Sequence, residues 1–190
     1  MIDCRDRIKD LVKQGGQNAQ IAHDRMLGFA HAGQNLVEEI NLLNPTLVVD
    51  VGCGRNYFKN KIKNLIGFDI CDYPEVDFNC AIEDMVLGPG SVDVILALGS
   101  LQYTDRDLVY KDISKIVNWV RPGGFIVVRI AKFVSESMSV KSRYPYRWSQ
   151  EWFDKLSTDF KLTTIKGPVL DKNTNTNANL EKTVWWWQKQ

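Results

Sequence analysis

The stretch that most constrains the fold is residues 47–56, where a short apolar run ends in two glycines separated by one residue. Leu47–Val51 is rich in β-branched residues, which favour a buried strand, and Gly52 and Gly54 predict a tight turn directly after it. We expect a helix to begin near Tyr57 and to direct its free N–H groups towards a ligand lying on the turn. Tyr57 stands where a dinucleotide-binding fingerprint has its third glycine, so the two glycines alone are weak support for a ligand site.

Further apolar runs follow the turn at intervals that favour alternating strands and helices. Residues 65–68 are closed by Asp69, seventeen residues after Gly52, and residues 91–98 and 125–128 form two more runs. A carboxylate at the tip of the second strand can accept hydrogen bonds from ribose hydroxyls. The pattern predicts an α/β fold, a doubly wound and mostly parallel sheet with helices on both faces.

Four blocks, in this order, resemble the class I S-adenosylmethionine-dependent methyltransferases over residues 35–165. The blocks are the glycine turn, Asp69, the segment from Glu83-Asp84 to Gly90-Ser91-x-Asp93, and Arg121-Pro122-Gly123-Gly124. The similarity is greatest to small soluble members with a methyltransferase type 11-like domain, which act on diverse and mostly small substrates. It implies a seven-stranded Rossmann-like sheet with an antiparallel strand near the C-terminal edge. We expect one domain over 1–190, with an N-terminal helical cap (1–43) and a Rossmann-like core (44–190).

The resemblance implies S-adenosylmethionine as the cofactor, bound by the loops that follow the strands. Asp69 would accept the ribose hydroxyls, and Asp50 would hold N–H groups of the loop close to the cofactor's amino-acid end. Related chains often place an acid for the adenine amino group where this chain has Ala81, so the resemblance does not supply that side-chain contact. The implied cofactor-binding residues are Asp50, Gly52, Cys53, Gly54, Asp69, Ile70, Ile82, Glu83, Leu98 and Gly99, with Cys80 as a further candidate beside the adenine.

The acceptor side of the site is defined by a basic, aromatic segment. Residues 129–148 contain five cations against the single acid Glu136, with aromatic residues interleaved near their end. We hypothesise that this segment is a lid that attracts an anionic acceptor, and a solvated loop is the equal alternative. The candidate acceptor-binding residues are Tyr103, Arg143, Tyr146 and Arg147.

No catalytic base stands out in the sequence. His31, on the N-terminal helical segment, is the weak candidate, and an ordinary surface or packing histidine is the preferred interpretation. The chain lacks the Asp/Asn-Pro-Pro-aromatic stretch of enzymes that methylate amino groups of adenine or glutamine. It also lacks the Pro-Cys nucleophile of cytosine methylation, and the cysteines are interpreted as small packing residues.

The composition limits the kinds of partner that we expect this chain to bind. A net charge of +1 argues against a large footprint on duplex nucleic acid. Residues 185–187 could stack on bases, but a last strand packed on both sides explains these tryptophans better. Four cysteines without C-x-x-C spacing and two histidines argue against a metal site. Without a signal peptide or a membrane-spanning run, we expect a cytoplasmic protein that acts on a small molecule; the oligomeric state stays open.

Two alternatives to a methyltransferase remain at this stage. One is a non-catalytic module that binds S-adenosylmethionine and regulates a partner, because no clear base is present. The other is a nicotinamide-dependent oxidoreductase on a similar sheet, against which the missing third glycine counts.

Overall fold

The computed structural model describes residues 36–101, 106–131, 148–170 and 182–190. Within them the elements are helix α1 (Leu36–Leu42), strands β1 (Val48–Val51), β2 (Leu65–Asp69), β3 (Phe78–Asn79) and β4 (Val92–Leu98), helix α2 (Arg106–Trp119), strand β5 (Val120–Ala131), helix α3 (Gln150–Asp159), and strands β6 (Leu162–Leu170) and β7 (Lys182–Lys189). Ser149 is the N-cap of α3, since its hydroxyl accepts the Trp152 N–H at 3.2 Å.

The strands form one seven-stranded sheet in the order β3-β2-β1-β4-β5-β7-β6. Strand β1 pairs in parallel with both β2 and β4, so the order of strands reverses beside it. Strand β7 runs antiparallel to both β5 and β6. The predicted α/β class, the seven strands and the antiparallel strand near the C-terminal edge are confirmed. Ligands of such sheets bind at the carboxyl ends of the strands, where the order reverses.

Alternation along the strands divides the interior into two cores. Residues such as Val49, Ile95 and Val128 point to the face covered by α2 and α3. The opposite face receives Val48, Leu96, Val127 and Trp186, and α1 packs against it through Leu36 and Ile40, together with Phe58 and Ile62.

The three consecutive tryptophans of β7 follow this alternation. Trp185 and Trp187 lie in the first core with exposures of 4% and 0%, and Trp186 lies in the second with 6%. The Phe153 ring from α3 lies 4.3 Å from the Trp187 ring, centroid to centroid, in a stacked arrangement. The predicted split between the two faces is confirmed, and these indoles offer no exposed platform on which bases could stack.

The prediction of a helix that begins near Tyr57 is wrong. Residues 54–61 instead form successive turns, closed by bonds such as the Lys59 N–H to the Asn56 carbonyl at 3.0 Å. Asn56, Asn60 and Asn64 have φ values of 49°, 64° and 54°. A left-handed residue interrupts the regular hydrogen bonding of a right-handed helix, and asparagine tolerates this conformation better than most residues. Residues 54–64 therefore contain no regular helix whose N-terminus could face the glycine turn.

A buried acid ties three strands together at the amino end of the sheet. One oxygen of Asp93 accepts the Thr46 N–H at 2.7 Å, the Thr46 hydroxyl at 2.6 Å and the Leu47 N–H at 2.9 Å. Its other oxygen accepts the Arg121 Nε–H at 2.5 Å. Burial by itself raises the pKa of Asp93, but these hydrogen bonds outweigh it and hold the pKa well below its usual range. Asp93 thus fixes the starts of β1, β4 and β5 relative to one another.

Among the described residues, no helix is both long and apolar enough to cross a bilayer. The same part of the chain contains no cluster of three or more His, Cys, Asp or Glu side chains suited to a metal ion. Of the expected N-terminal cap, only α1 and the residues after it lie within the described part, so the division at residue 43 stays a prediction.

Candidate functional site

The ends of β1 and β2 are joined directly through the glycine turn. The backbone N–H groups of Gly52 and Cys53 both donate to the Phe68 carbonyl, at 2.9 and 3.1 Å. Gly52 and Gly54 have φ values of 67° and 55°, which a side chain disfavours. The turn expected from the sequence therefore lies at the carboxyl edge of the sheet, beside the reversal of strand order.

The Asp69 carboxylate is clamped between this turn and the chain that follows β2. Its Oδ2 accepts the Gly54 N–H at 2.8 Å, and its Oδ1 accepts the Cys71 N–H at 2.8 Å. A carboxylate has about four lone-pair sites, so each oxygen keeps room for a further donor. The structure thus presents a rigidly held acceptor pair at the strand tip, the chemistry that two vicinal hydroxyls require.

The two glycines of the turn have opposite surroundings. A Cβ on Gly52 would lie 2.5 Å from the Cβ of Ser100, so the turn is packed directly against the loop after β4. A Cβ on Gly54 would meet nothing within 4 Å in the described part of the chain. Gly52 is therefore required by the fold, whereas Gly54 leaves open space above the turn.

A second acid, Asp50, lies inside the sheet with only 3% of its surface exposed. Burial, and then the neighbouring Asp69 carboxylate, raise the pKa of Asp50 to about 7. Burial, followed by the Asp50 and Asp69 carboxylates, also raises the pKa of the Cys53 thiol, which stays protonated and unreactive. Two acids therefore lie at this turn, and a cationic ligand beside them would favour the ionised form of Asp50.

Asn56, which sequence reasoning missed, fastens the end of this turn. Its Nδ2 donates to the Asp77 carboxylate at 2.9 Å and to the Glu75 carbonyl at 3.1 Å. The Gly67 N–H donates to the same Asp77 oxygen at 2.8 Å, and a Cβ on Gly67 would lie 2.7 Å from the Asn56 amide. The only hint in the sequence is an asparagine shortly after the two glycines, a residue type that accepts positive φ.

The expected adenine contacts are less well formed. Ile82 is half-buried against the first core, whereas the Glu83 side chain is exposed and its carbonyl accepts from Lys115 Nζ at 2.6 Å. Cys80 lies against Met85, with 3.8 Å between their sulfurs. Ile70, Leu98 and Gly99 are half-buried at the ends of β2 and β4. Apolar residues thus lie at this position, whereas the neighbouring acids Glu83 and Asp84 are exposed.

The remaining predicted residues, His31, Tyr103, Arg143, Tyr146 and Arg147, lie outside the described residues and stay predictions. Both ends of the segment 129–148 do lie within the described part, and neither is a solvated loop. Arg129 belongs to β5 and is 6% exposed. Trp148 is 3% exposed, and its Nε1 donates to the Leu101 carbonyl at 3.0 Å.

Comparison with known proteins supports the same fold. The chain matches no protein-family model. Phosphoethanolamine N-methyltransferase 1 from Triticum aestivum is 24% identical over 131 residues, which cover 62% of this chain and 26% of that protein. The chain therefore spans about a quarter of the length of this curated relative.

Two solved structures cover the whole chain. The 1,6-didemethyltoxoflavin-N1-methyltransferase of Burkholderia thailandensis, crystallised with 1,6-didemethyltoxoflavin and S-adenosylhomocysteine, has a TM-score of 0.75, with 17% identity and 92% of its own chain covered. Magnesium protoporphyrin IX methyltransferase from Synechocystis PCC 6803, with bound S-adenosylmethionine, has a TM-score of 0.70, with 11% identity and 99% covered. The predicted resemblance to the class I methyltransferases is confirmed at the level of the fold.

Proposed function

We propose that this chain, which has the fold of the class I S-adenosylmethionine-dependent methyltransferases, binds S-adenosylmethionine and transfers its methyl group to a small acceptor. The observation that carries the proposal is the clamped Asp69 carboxylate beside the open turn at Gly54, located where the strand order reverses. The two similar structures that contain S-adenosylmethionine or its demethylated product add support.

The residues present fit this cofactor. Asp69 would accept its ribose hydroxyls, and the backbone at Gly54 would lie beneath it. Asp50 would lie near its charged amino-acid end, where the acidic surroundings favour the ammonium group and the sulfonium. Further contacts would come from Gly52, Cys53, Ile70, Ile82, Leu98 and Gly99, with Glu83 the weakest member of the set because its side chain is exposed.

The bound sulfonium supplies a methyl group that is already activated for transfer. What the protein has to provide is alignment of the acceptor with that methyl group, and exclusion of water from the crevice. A base is required only for an acceptor that must lose a proton. These requirements agree with a site that is formed by fixed backbone groups and two acids.

The acceptor we propose is a small molecule. The relative from Triticum aestivum is named for phosphoethanolamine, which makes this compound the first acceptor to test. We further propose cytoplasmic action, in keeping with the free thiols of Cys53, Cys71 and Cys80.

Calorimetry with S-adenosylhomocysteine and with NADH, followed by transfer of a labelled methyl group to phosphoethanolamine, tests the function. Binding of S-adenosylhomocysteine and labelled product support the methyltransferase. Binding without transfer to any member of a broad acceptor panel favours the non-catalytic module, and preferential binding of NADH overturns the proposal.

Gly54→Ala should separate ligand binding from folding. Because its Cβ meets nothing within 4 Å among the described residues, the variant should lose only the ~1–2 kcal/mol of the left-handed conformation, yet bind S-adenosylhomocysteine at least tenfold more weakly. Gly52→Ala is the matched contrast, since its Cβ would collide with Ser100 and should lower the unfolding midpoint much further. Wild-type affinity in a folded Gly54→Ala protein would contradict this position for the ligand.

Binding of the methyl donor S-adenosylmethionine should release a proton from Asp50. Because the fold raises the pKa of Asp50 to about 7, the contribution of Asp50 to the stability of the ligand-free protein is fully present below its unfolded pKa. This contribution is lost as the pH rises through about 7. A cationic ligand favours the ionised form, so S-adenosylmethionine affinity should rise from pH 5.5 to 7.5 by up to about tenfold per unit. Calorimetry in buffers of different ionisation enthalpy measures the proton, and Asp50→Asn should remove the dependence. An equally steep dependence in Asp50→Asn would assign the proton to another group.

A further inference from the structure

A tryptophan far along the chain holds the loop that follows β4. The indole Nε1–H of Trp148 donates to the Leu101 carbonyl at 3.0 Å, and this hydrogen bond is buried. Both residues are shielded from water, so solvent does not compete with either partner. The bond therefore fixes the backbone of the loop at Leu101, shortly after β4 ends at Leu98.

The ring of Trp148 is itself held in the first core. Its centroid lies 6.3 Å from that of Phe153 on α3 and 6.3 Å from that of Trp187 on β7. Both neighbouring rings are buried. Because the interior of a protein is closely packed, the indole cannot shift without moving these rings. Trp148 is thus a rigid support to which the loop is bonded.

The other side of this loop lies against the glycine turn. Ser100 directly precedes Leu101, and its Cβ lies 2.5 Å from the position that a Cβ on Gly52 would occupy. The Ser100 hydroxyl is buried and has no hydrogen-bond partner in the described part of the chain. This hydroxyl therefore does not fasten the loop to the turn, and the place of Ser100 over Gly52 depends on packing and on the support at Leu101.

These contacts connect Trp148 with one end of the proposed cofactor site. The turn extends from Gly52, beside the loop after β4, to Gly54, whose N–H donates to Asp69 at the tip of β2. The proposed function assigns the ribose to Asp69 and the adenine to the neighbourhood of Ile82, after β3. The amino-acid end of S-adenosylmethionine would then extend the other way, over Gly52 and towards β4.

We propose that Trp148 is a positioning residue for the methyl donor. Through Leu101 and Ser100 it sets the shape of the Gly52 end of the turn, and with it the affinity for the amino-acid group of S-adenosylmethionine. The inference rests on the proposed methyl transfer and adds a residue that acts through the loop. Because Ser100 already lies in close contact with Gly52, a small movement of the loop reaches the turn directly.

Trp148→Phe tests the hydrogen bond and keeps an aromatic ring in the core. The substitution leaves the buried Leu101 carbonyl without its partner, so the loop should shift. We expect S-adenosylhomocysteine to bind the folded variant about fivefold or more weakly, by calorimetry. 5′-Methylthioadenosine, which has the nucleoside and the sulfur but no amino-acid group, should keep its wild-type affinity. A role limited to stability would lower the unfolding midpoint and leave the ratio of the two affinities unchanged.

Trp187→Phe is the matched control. Trp187 belongs to the same cluster of rings as Trp148, but its buried Nε1 has no hydrogen-bond partner in the described residues. The variant removes the same part of an indole from the same core without breaking a hydrogen bond. It should lower the unfolding midpoint and leave the affinities for both ligands unchanged.

A spectroscopic measurement on wild-type protein does not depend on how either variant folds. Nuclear magnetic resonance of ¹⁵N-labelled protein follows the indole N–H of Trp148. Its signal should shift when S-adenosylhomocysteine binds, because the amino-acid group of this ligand would contact the turn on which the loop is packed. 5′-Methylthioadenosine, which lacks that group, should leave the signal in place.

The outcomes distinguish two failures. Wild-type protein that binds neither ligand would overturn the proposed function, and this inference with it. Wild-type protein that binds S-adenosylhomocysteine without a shift of the Trp148 signal would leave the methyltransferase intact and remove Trp148 from the cofactor site. The same conclusion would follow if folded Trp148→Phe kept both affinities or lost them equally.

Discussion

Asp69→Ala is expected to weaken S-adenosylhomocysteine binding about a hundredfold or more. Two hydrogen bonds from ribose hydroxyls to a carboxylate contribute ~1.5–3 kcal/mol each, and a hundredfold corresponds to about 2.7 kcal/mol. The variant also frees the Gly54 and Cys71 N–H groups that the carboxylate holds at 2.8 Å. The turn should therefore loosen, and the unfolding midpoint should fall as well.

Calorimetry and thermal denaturation on the same samples measure both effects of Asp69→Ala. Asp72→Ala is the matched control, because it removes an exposed acid three residues away and should leave binding unchanged. Asp69→Asn keeps one acceptor oxygen and should lie between wild type and alanine. Unaltered affinity in Asp69→Ala would show that the ribose, and with it the proposed donor position, lies elsewhere.

Asp93→Ala should have the largest effect on folding, a loss of ~3–5 kcal/mol in the free energy of unfolding. It removes four hydrogen bonds to a charged group, each contributing ~1.5–3 kcal/mol, and the exposed Thr46 and half-exposed Arg121 recover part of this by binding water. The substitution leaves the Thr46 and Leu47 N–H groups, the Thr46 hydroxyl and the Arg121 guanidinium without their shared acceptor. For a chain of this length the melting temperature should fall by roughly 6–20 °C. Urea denaturation at pH 7 gives the free energy directly.

The pH dependence of stability identifies the carboxylate as the cause. Because the pKa of Asp93 is depressed in the fold, its contribution is fully present above the unfolded pKa near 4 and is lost as pH falls below it. The gap between wild type and Asp93→Asn should therefore narrow at pH 3. Arg121→Met, which removes one half-exposed partner, should lose less than Asp93→Ala. A constant gap down to pH 3 would assign the effect to packing.

The identity and order of most elements followed from local sequence, with the exception of the helix expected near Tyr57. A β-branched run before Gly52, an acid closing the next run, and alternation through Trp185–Trp187 each constrain a few consecutive residues, and strand geometry turns each pattern into a definite placement. The glycine turn, the tip position of Asp69 and the two faces of β7 could be predicted for this reason. The amino-terminal segment, His31 and the basic residues 132–147 stay at the level of sequence predictions.

The remaining features of the fold and the site depend on contacts between residues that are distant in sequence. Asn56 bonds Asp77, twenty-one residues later, and its positive φ helps prevent the expected helix. Asp93 bonds Thr46, forty-seven residues earlier, so its place in the third block gave no sign that it joins three strands. From the sequence, Arg129 was grouped with the cations of a loop, because a charged residue at the end of an apolar run is usually exposed. Burial of a charge depends on neighbouring strands distant in sequence, and only the assembled sheet brings those strands together.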